Sequence, residues 1–306
     1  MAILSKTLSE AGFDGIFTEV PHSETLGLIN PNELRMFCLN LSNNAFSFDA
    51  MQEFLLDNIG SYIYSRSKID QLTVDGRERS IGAKAIGLMR KAANVDTAWL
   101  GEQLGDILLY VFLEQVLGAP KLYSKIELLE SGSTDVANGG GVHLLEPRDA
   151  FPANQLVFGK SHVIGDMKTA IDNAFLQLEK AKNNEPVEMR LIESTIFSQK
   201  FTPSTVEQLK SILIPSKQKD AILDKSFGVF LGYSLGLNPD DYPRTDFKAK
   251  LVQKMEADVR AHTAYIAEKI RVAGMNTYSF YFYVLPFNDA DTEKQSIMQT
   301  LIEGGT

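Results

Sequence analysis

Cysteine is nearly missing from this 306-residue chain: Cys38 stands alone, which excludes an internal disulfide and a cysteine-based zinc site. Histidine is scarce as well. His22, His143, His162 and His262 lie far apart and form no HExxH pair, so a helical zinc-protease site is excluded. No apolar run approaches the roughly 18 residues of a membrane span. The apolar Ala2–Leu4 has neither the basic flank nor the continuous apolar core of a signal peptide. These absences predict a cytoplasmic protein with no membrane contact. Positive charge is also in short supply: a net charge of −9 argues against a surface coated for nucleic acid, though not against a local basic patch. The basic residues between Lys168 and Arg271 alternate with acids such as Glu179, Glu256 and Glu268, as solvated helix faces do.

What is present suits a large α/β core. Hydrophobic residues make up 44% of the chain, enough to fill one large domain or two smaller ones. A short strand is expected over Leu34–Leu41, and Ser47 would cap a helix carrying Met51, Phe54, Leu55, Ile59, Tyr62 and Ile63 at helical spacing. The polar stretch Asp70–Arg79 reads as a loop, and Ser80–Ala93 as a second helix. A third helix starts at Asp96 or Thr97 and stops at Gly118-Ala119-Pro120, a glycine-then-proline ending. Leu100, Leu104, Ile107, Leu108, Val111 and Phe112 cover much of its circumference, so it should be largely buried. Glu102 and Asp106 share one of its faces. Both acids sit early in the helix, where its dipole alone would favour them.

Three strands should follow, over Leu122–Leu129, Val142–Leu145 and Gln155–Val163, and then an amphipathic helix with Met167, Ala170, Ile171, Ala174, Phe175 and Leu178 on one stripe. Beyond these, helices are expected near Pro186–Gln199, Ser204–Leu213 and Phe247–Val272, strands over Phe227–Tyr233 and Ser279–Pro286, and a last helix from Asp291. The aromatic run from Tyr278 to Tyr283 has no polar face, the mark of a central strand covered on both sides.

Chemistry concentrates in Leu156–Val163. Side chains alternate along a strand, so Lys160 and His162 project to one face. Gly139-Gly140-Gly141 offers a backbone that can pass close to a ligand, and His143 follows it. A face combining Lys160, His162, His143 and the helix acid Glu102 could bind phosphate. A single carboxylate holds magnesium poorly, because that ion wants several hard oxygen ligands. Gly159-Lys160-Ser161 lacks the upstream glycine spacing of a Walker loop.

The runs GEQLGDILLYVFLEQVLGAPKLYSKIEL, GGGVHLL, LVFGKSHVIGDMKTAIDNAF, FGVFLGYSLGL and FYFYVLPFNDADTEKQSIMQTLI together resemble the C-terminal domain shared by HamA of Hachiman anti-phage systems and anti-bacteriophage protein A. The resemblance covers roughly Asp96–Gly305. It implies a PD-(D/E)xK nuclease-like α/β core, ordered helix–strand–strand–strand–helix–strand with additional helices, and a helicase partner encoded nearby. It divides the chain into an N-terminal α/β region, 1–95, and a HamA-like nuclease-fold domain, 96–306. Glu102 matches the acid on the first core helix. Where nuclease members place an acid–glycine pair before the Val-His, this chain reads Gly140-Gly141. Their third strand reads Gly-Glu-Ser-Lys; here Gly159 and Ser161 match, while Lys160 takes the glutamate's place and His162 the lysine's. Asp135 lies nearby in a turn and matches no motif.

The exchange of glutamate for lysine reverses a charge at a metal-ligand position. Unit charges ~4 Å apart interact by roughly 4 kcal/mol at an effective dielectric constant near 20, so metal binding through the usual arrangement should fail. Three functions remain open on the sequence. One is a sensing subunit that contacts DNA through Lys160, His162 and His143 within a helicase complex. Another is an active Mg²⁺-dependent nuclease with a rearranged site drawing on Glu102, Asp106, Asp135 or His143, with Lys160 and His162 in catalytic roles. The third is a non-catalytic regulator of the helicase.

Overall fold

In the computed structural model, residues 4–9, 11–93, 97–123, 141–147, 153–193, 203–213 and 223–304 are described. A seven-stranded mixed sheet forms the centre, with strands β1 (Phe17–Val20), β2 (Asn32–Leu39), β5 (Lys121–Tyr123), β6 (Val142–Leu145), β7 (Asn154–Val163), β8 (Leu223–Ser234) and β9 (Ser279–Phe287). Their spatial order is β1-β2-β9-β8-β7-β6-β5. The four strands β2, β9, β8 and β7 run parallel, and β1, β6 and β5 are antiparallel additions at the two edges. A small hairpin, β3 (Leu41–Ser42) with β4 (Ala45–Phe46), turns through Asn43 and Asn44, both at positive φ, a conformation that asparagine tolerates better than most residues.

The helices are a single turn α1 (Phe13–Ile16), then α2 (Asp49–Ile63), α3 (Arg66–Val74), α4 (Ile81–Ala93), α5 (Thr97–Phe112), α6 (Met167–Glu193), α7 (Pro203–Leu213), α8 (Arg244–Val272) and α9 (Ala290–Glu303). α5 lies across one sheet face, where Phe112 stacks on Phe230 of β8 and Tyr283 of β9. α2, α4 and α9 pack around α5. α6 covers the opposite face, with Phe175 against Phe282 of β9, and α8 runs beside α6. α8 buries Phe247, Leu251, Met255, Val259, Thr263, Ile266 and Ile270, a stripe at three- and four-residue spacing that leaves its charged residues outside.

β9 is buried at every position, as its aromatic run predicts for a central strand. The elements α5, β5, β6, β7, α6 and β8 follow one another in the expected order. Elsewhere the structure departs from the sequence reading. Much of Asp70–Arg79, read as a loop, is helical: α3 is capped by Ser65, whose side chain accepts the Lys68 N–H, and it needs only Leu72 buried to dock. Pro186 does not start a new helix but lies inside α6. Of the strand expected over Leu122–Leu129, Lys121–Tyr123 is seen as β5; the remainder, with Asp135, Gly139 and Gly140, falls outside the described residues. No helix among the described residues is long and apolar enough to cross a membrane.

Candidate functional site

Strand pairing decides which side chains can meet. Lys160 and His162 lie opposite Val229 and Leu231 of β8, and Val229 lies opposite Phe282 of β9. Paired residues share a face, so Lys160 and His162 both belong to the face that α6 covers. The Asn173 amide of α6 donates to His162 Nε2 at 2.8 Å. Gly159, Ser161 and Val163 occupy the other face, towards α5. There Gly105 comes so close that a Cβ on it would stand 2.8 Å from Ser161 Oγ. Beside it, Ser161 Oγ donates to Asp106 Oδ1 at 2.5 Å.

The structure therefore parts the residues that the sequence groups together. Glu102 is exposed on α5 and does not share the Lys160/His162 face of the sheet. His143 pairs with Val157, which puts it on the α5 face at the antiparallel edge. Lys160 and His162 stay together, but Lys160 is 1% exposed and already engaged, while His162 is half-buried. The pairing of β6 with β7 makes the difference, since register and not sequence spacing decides which neighbours share a face.

His143 lies beside a buried polar network. Its Nδ1–H donates to the Ala119 carbonyl at 2.8 Å. Burial pushes its pKa down to about 4, against an opposing pull from Glu114. Glu114 sits in a π-type turn, Leu113–Leu117, that follows α5. Its carboxylate accepts from Thr7 N (2.6 Å), Thr7 Oγ1 (2.7 Å), Leu8 N (2.8 Å) and Lys121 N (2.8 Å). The Lys121 ammonium, 1% exposed, donates to the carbonyls of Ser61, Tyr62 and Tyr64 at 2.7, 2.8 and 3.0 Å. These carbonyls end α2, where a helix leaves acceptors unpaired and favours a cation. The network ties the N-terminal segment, α2, the end of α5 and β5 together.

Metal ligation fits these residues poorly. Among the described residues no group of three or more His, Cys, Asp or Glu side chains could hold a metal ion. Asp106 faces a neutral serine hydroxyl where a second carboxylate would be needed.

Sequence reasoning missed several polar residues. Among the described residues, the fully buried Gln103 of α5 finds no partner for either amide atom, and the buried Tyr62 hydroxyl finds none either. At the carboxyl end of β7, Lys294 of α9 donates to the Val163 carbonyl at 2.7 Å. Lys294 and Asp291 are the charged groups acting on His162, whose pKa is lowered mainly by burial and then by Lys294. Nothing in the spacing of α9 marks Lys294, because its partner lies 131 residues away.

A family model described as HamA matches residues 14–301 of the chain. No curated protein and no solved structure matches it.

Proposed function

The chain belongs to the HamA family, whose membership implies a component of Hachiman anti-phage defence, and from that premise we propose that it joins a helicase partner on DNA through a PD-(D/E)xK-type core whose catalytic acids have been replaced. The observation that carries the reading is β7. The glutamate's place holds Lys160, buried on the α6 face, and the positions that face the first core helix hold Gly159 and Ser161. A buried ammonium repels a divalent cation, and Ser161 occupies the one buried carboxylate that α5 presents to this strand. The order α5, β5, β6, β7, α6, β8 supports the nuclease-type ancestry of the core. In this reading residues 96–306 form the nuclease-type unit, and residues 1–95 add β1 and β2 to its sheet beside β9. DNA reaches the chain within the assembly, in the cytoplasm, and the net charge of −9 leaves the isolated subunit a weak DNA binder.

Calorimetric titration of the full chain with Mg²⁺ and Mn²⁺ tests the replaced acids: binding should be no tighter than about 1 mM. Micromolar affinity abolished by Glu102→Ala or Asp106→Ala means that the site has moved instead of being lost. The partner is tested separately, by co-purification with a helicase encoded beside the gene. Failure to form that complex removes this part of the reading.

A further inference from the structure

We propose that the seam between α6 and α8 is a docking surface for an acidic amphipathic helix of a protein partner. Four large apolar side chains are exposed among the described residues: Ile29, Val74, Leu176 and Val272. Such residues are ordinary when scattered singly. Leu176 and Val272, 57% and 68% exposed, are brought together by the bonds that join their helices. Lys168 of α6 lies 5.2 Å over the ring of Tyr265 of α8. Asp172 pairs with Lys269 at 2.5 Å and accepts from the Tyr265 hydroxyl. Further along, Lys182 donates to the carbonyls of Ala273 and Gly274 at 3.0 Å. Both residue numbers rise together, so the two helices run in the same direction along the seam. Leu176 is one turn beyond Asp172, and Val272 is nearly one turn beyond Lys269. Each therefore stands about 5–6 Å past that ion pair, on the helix face that makes it. The Lys182 bonds close the seam beyond them, which leaves the two side chains as neighbours with solvent over both.

Charge around the pair selects what can cover it. Lys168, Asp172, Leu176 and Lys180 form one ridge of α6 at four-residue spacing. The carboxylates at this level are committed, Asp172 to Lys269 and Tyr265, and Glu268 to Arg271. Glu179 projects about 100° away from Lys180 round the helix. Lys168 and Lys180 are exposed and form no salt bridge among the described residues. Two unneutralised cations thus bracket the apolar pair, about 18 Å apart along the helix, on a chain whose net charge is −9. The complementary ligand has apolar side chains at its centre and carboxylates near both ends. A helix of about 15 residues laid along the seam supplies that pattern. Nucleic acid fits poorly, because it would lay phosphates against Leu176 and Val272 beside Asp172 and Glu268. Nothing in the seam depends on the replaced acids of β7. Assigning the docked helix to the helicase, and that alone, rests on the function proposed above.

The test titrates the full chain with a fluorescent helical peptide of about 15 residues, carrying central leucines and glutamates about 18 Å apart. Saturable binding is expected, weakening as salt rises. Leu176→Glu and Val272→Glu should each weaken it about tenfold, as loss of a central apolar anchor does. Both positions are exposed, so these variants should melt with the parent chain. Lys168→Glu combined with Lys180→Glu should abolish binding, and a peptide with lysines in place of its glutamates should restore it. Absence of saturable binding to the parent chain overturns the surface, as does undiminished binding to folded Leu176→Glu. A short DNA duplex that binds more tightly than the peptide, and is lost in the double lysine variant, also overturns it by assigning the seam to nucleic acid. Peptide binding by a chain that does not co-purify with the neighbouring helicase removes the helicase from the proposed function and leaves this surface standing.

Discussion

His143 carries the largest proton-linked effect among the described histidines. Its pKa falls from 6.5 to about 4 on folding, and at 1.36 kcal/mol per pH unit that is worth about 3 kcal/mol. Between those values the unfolded chain binds the proton and the folded chain does not. Stability is therefore full above about pH 6.5 and declines as pH falls towards 4. Urea unfolding at pH 7 and pH 4.5 should show the loss, and His143→Gln should shrink it; an equal loss in that variant contradicts the assignment. Gln103 makes the opposite case, a buried polar side chain with no compensating bond among the described residues. Gln103→Leu should raise stability by about 1–2 kcal/mol, the usual cost of unsatisfied buried polar groups, and a lower melting temperature would mean that the amide is satisfied in solution. Neither role could be read from spacing alone. Strand alternation correctly places Lys160 and His162 on one face, but it does not reveal that His143 pairs with Val157 and so faces the other way.

Two elements depend on close approaches that residue patterns hint at without locating. α5 reads as buried from its apolar circumference, and the structure adds the reason it can lie so near β7: Gly105 has no side chain where Ser161 stands. Gly105→Ala should destabilise the fold by about 1–3 kcal/mol from overpacking, despite alanine's better helix propensity. Equilibrium denaturation would settle the sign, and a stabilised variant would mean that α5 does not sit so close. The end of α5 shows the same dependence on tertiary partners. Glu114 looks like an ordinary helix acid in the sequence, but its carboxylate bonds the backbone of Thr7, Leu8 and Lys121. Glu114→Gln replaces one acceptor oxygen by a donor that faces donors, so it should cost about 2–3 kcal/mol. Faster hydrogen exchange at Thr7 and Leu8 would locate that loss; unchanged protection there would contradict it. α3 and the unbroken α6 escaped the sequence reading for a related reason. A helix with one buried residue has little periodicity to detect, and a proline inside a long helix reads as a boundary.

At the scale of the whole molecule, the aromatic composition of β9 makes its central position legible, while its pairing with β2 joins residues some 250 apart in the chain and leaves no local trace. The family resemblance covers roughly Asp96–Gly305, and the family match extends it back to residue 14. The proposed function turns on whether β7 supports catalysis with Lys160 in the place of the glutamate. The most direct measurement is cleavage of DNA by the chain combined with the proposed helicase partner, in Mg²⁺ and in Mn²⁺, against the helicase alone. The account predicts no metal-dependent cleavage above the helicase background. Cleavage that appears with the chain and disappears with Glu102→Ala or Asp106→Ala would contradict it.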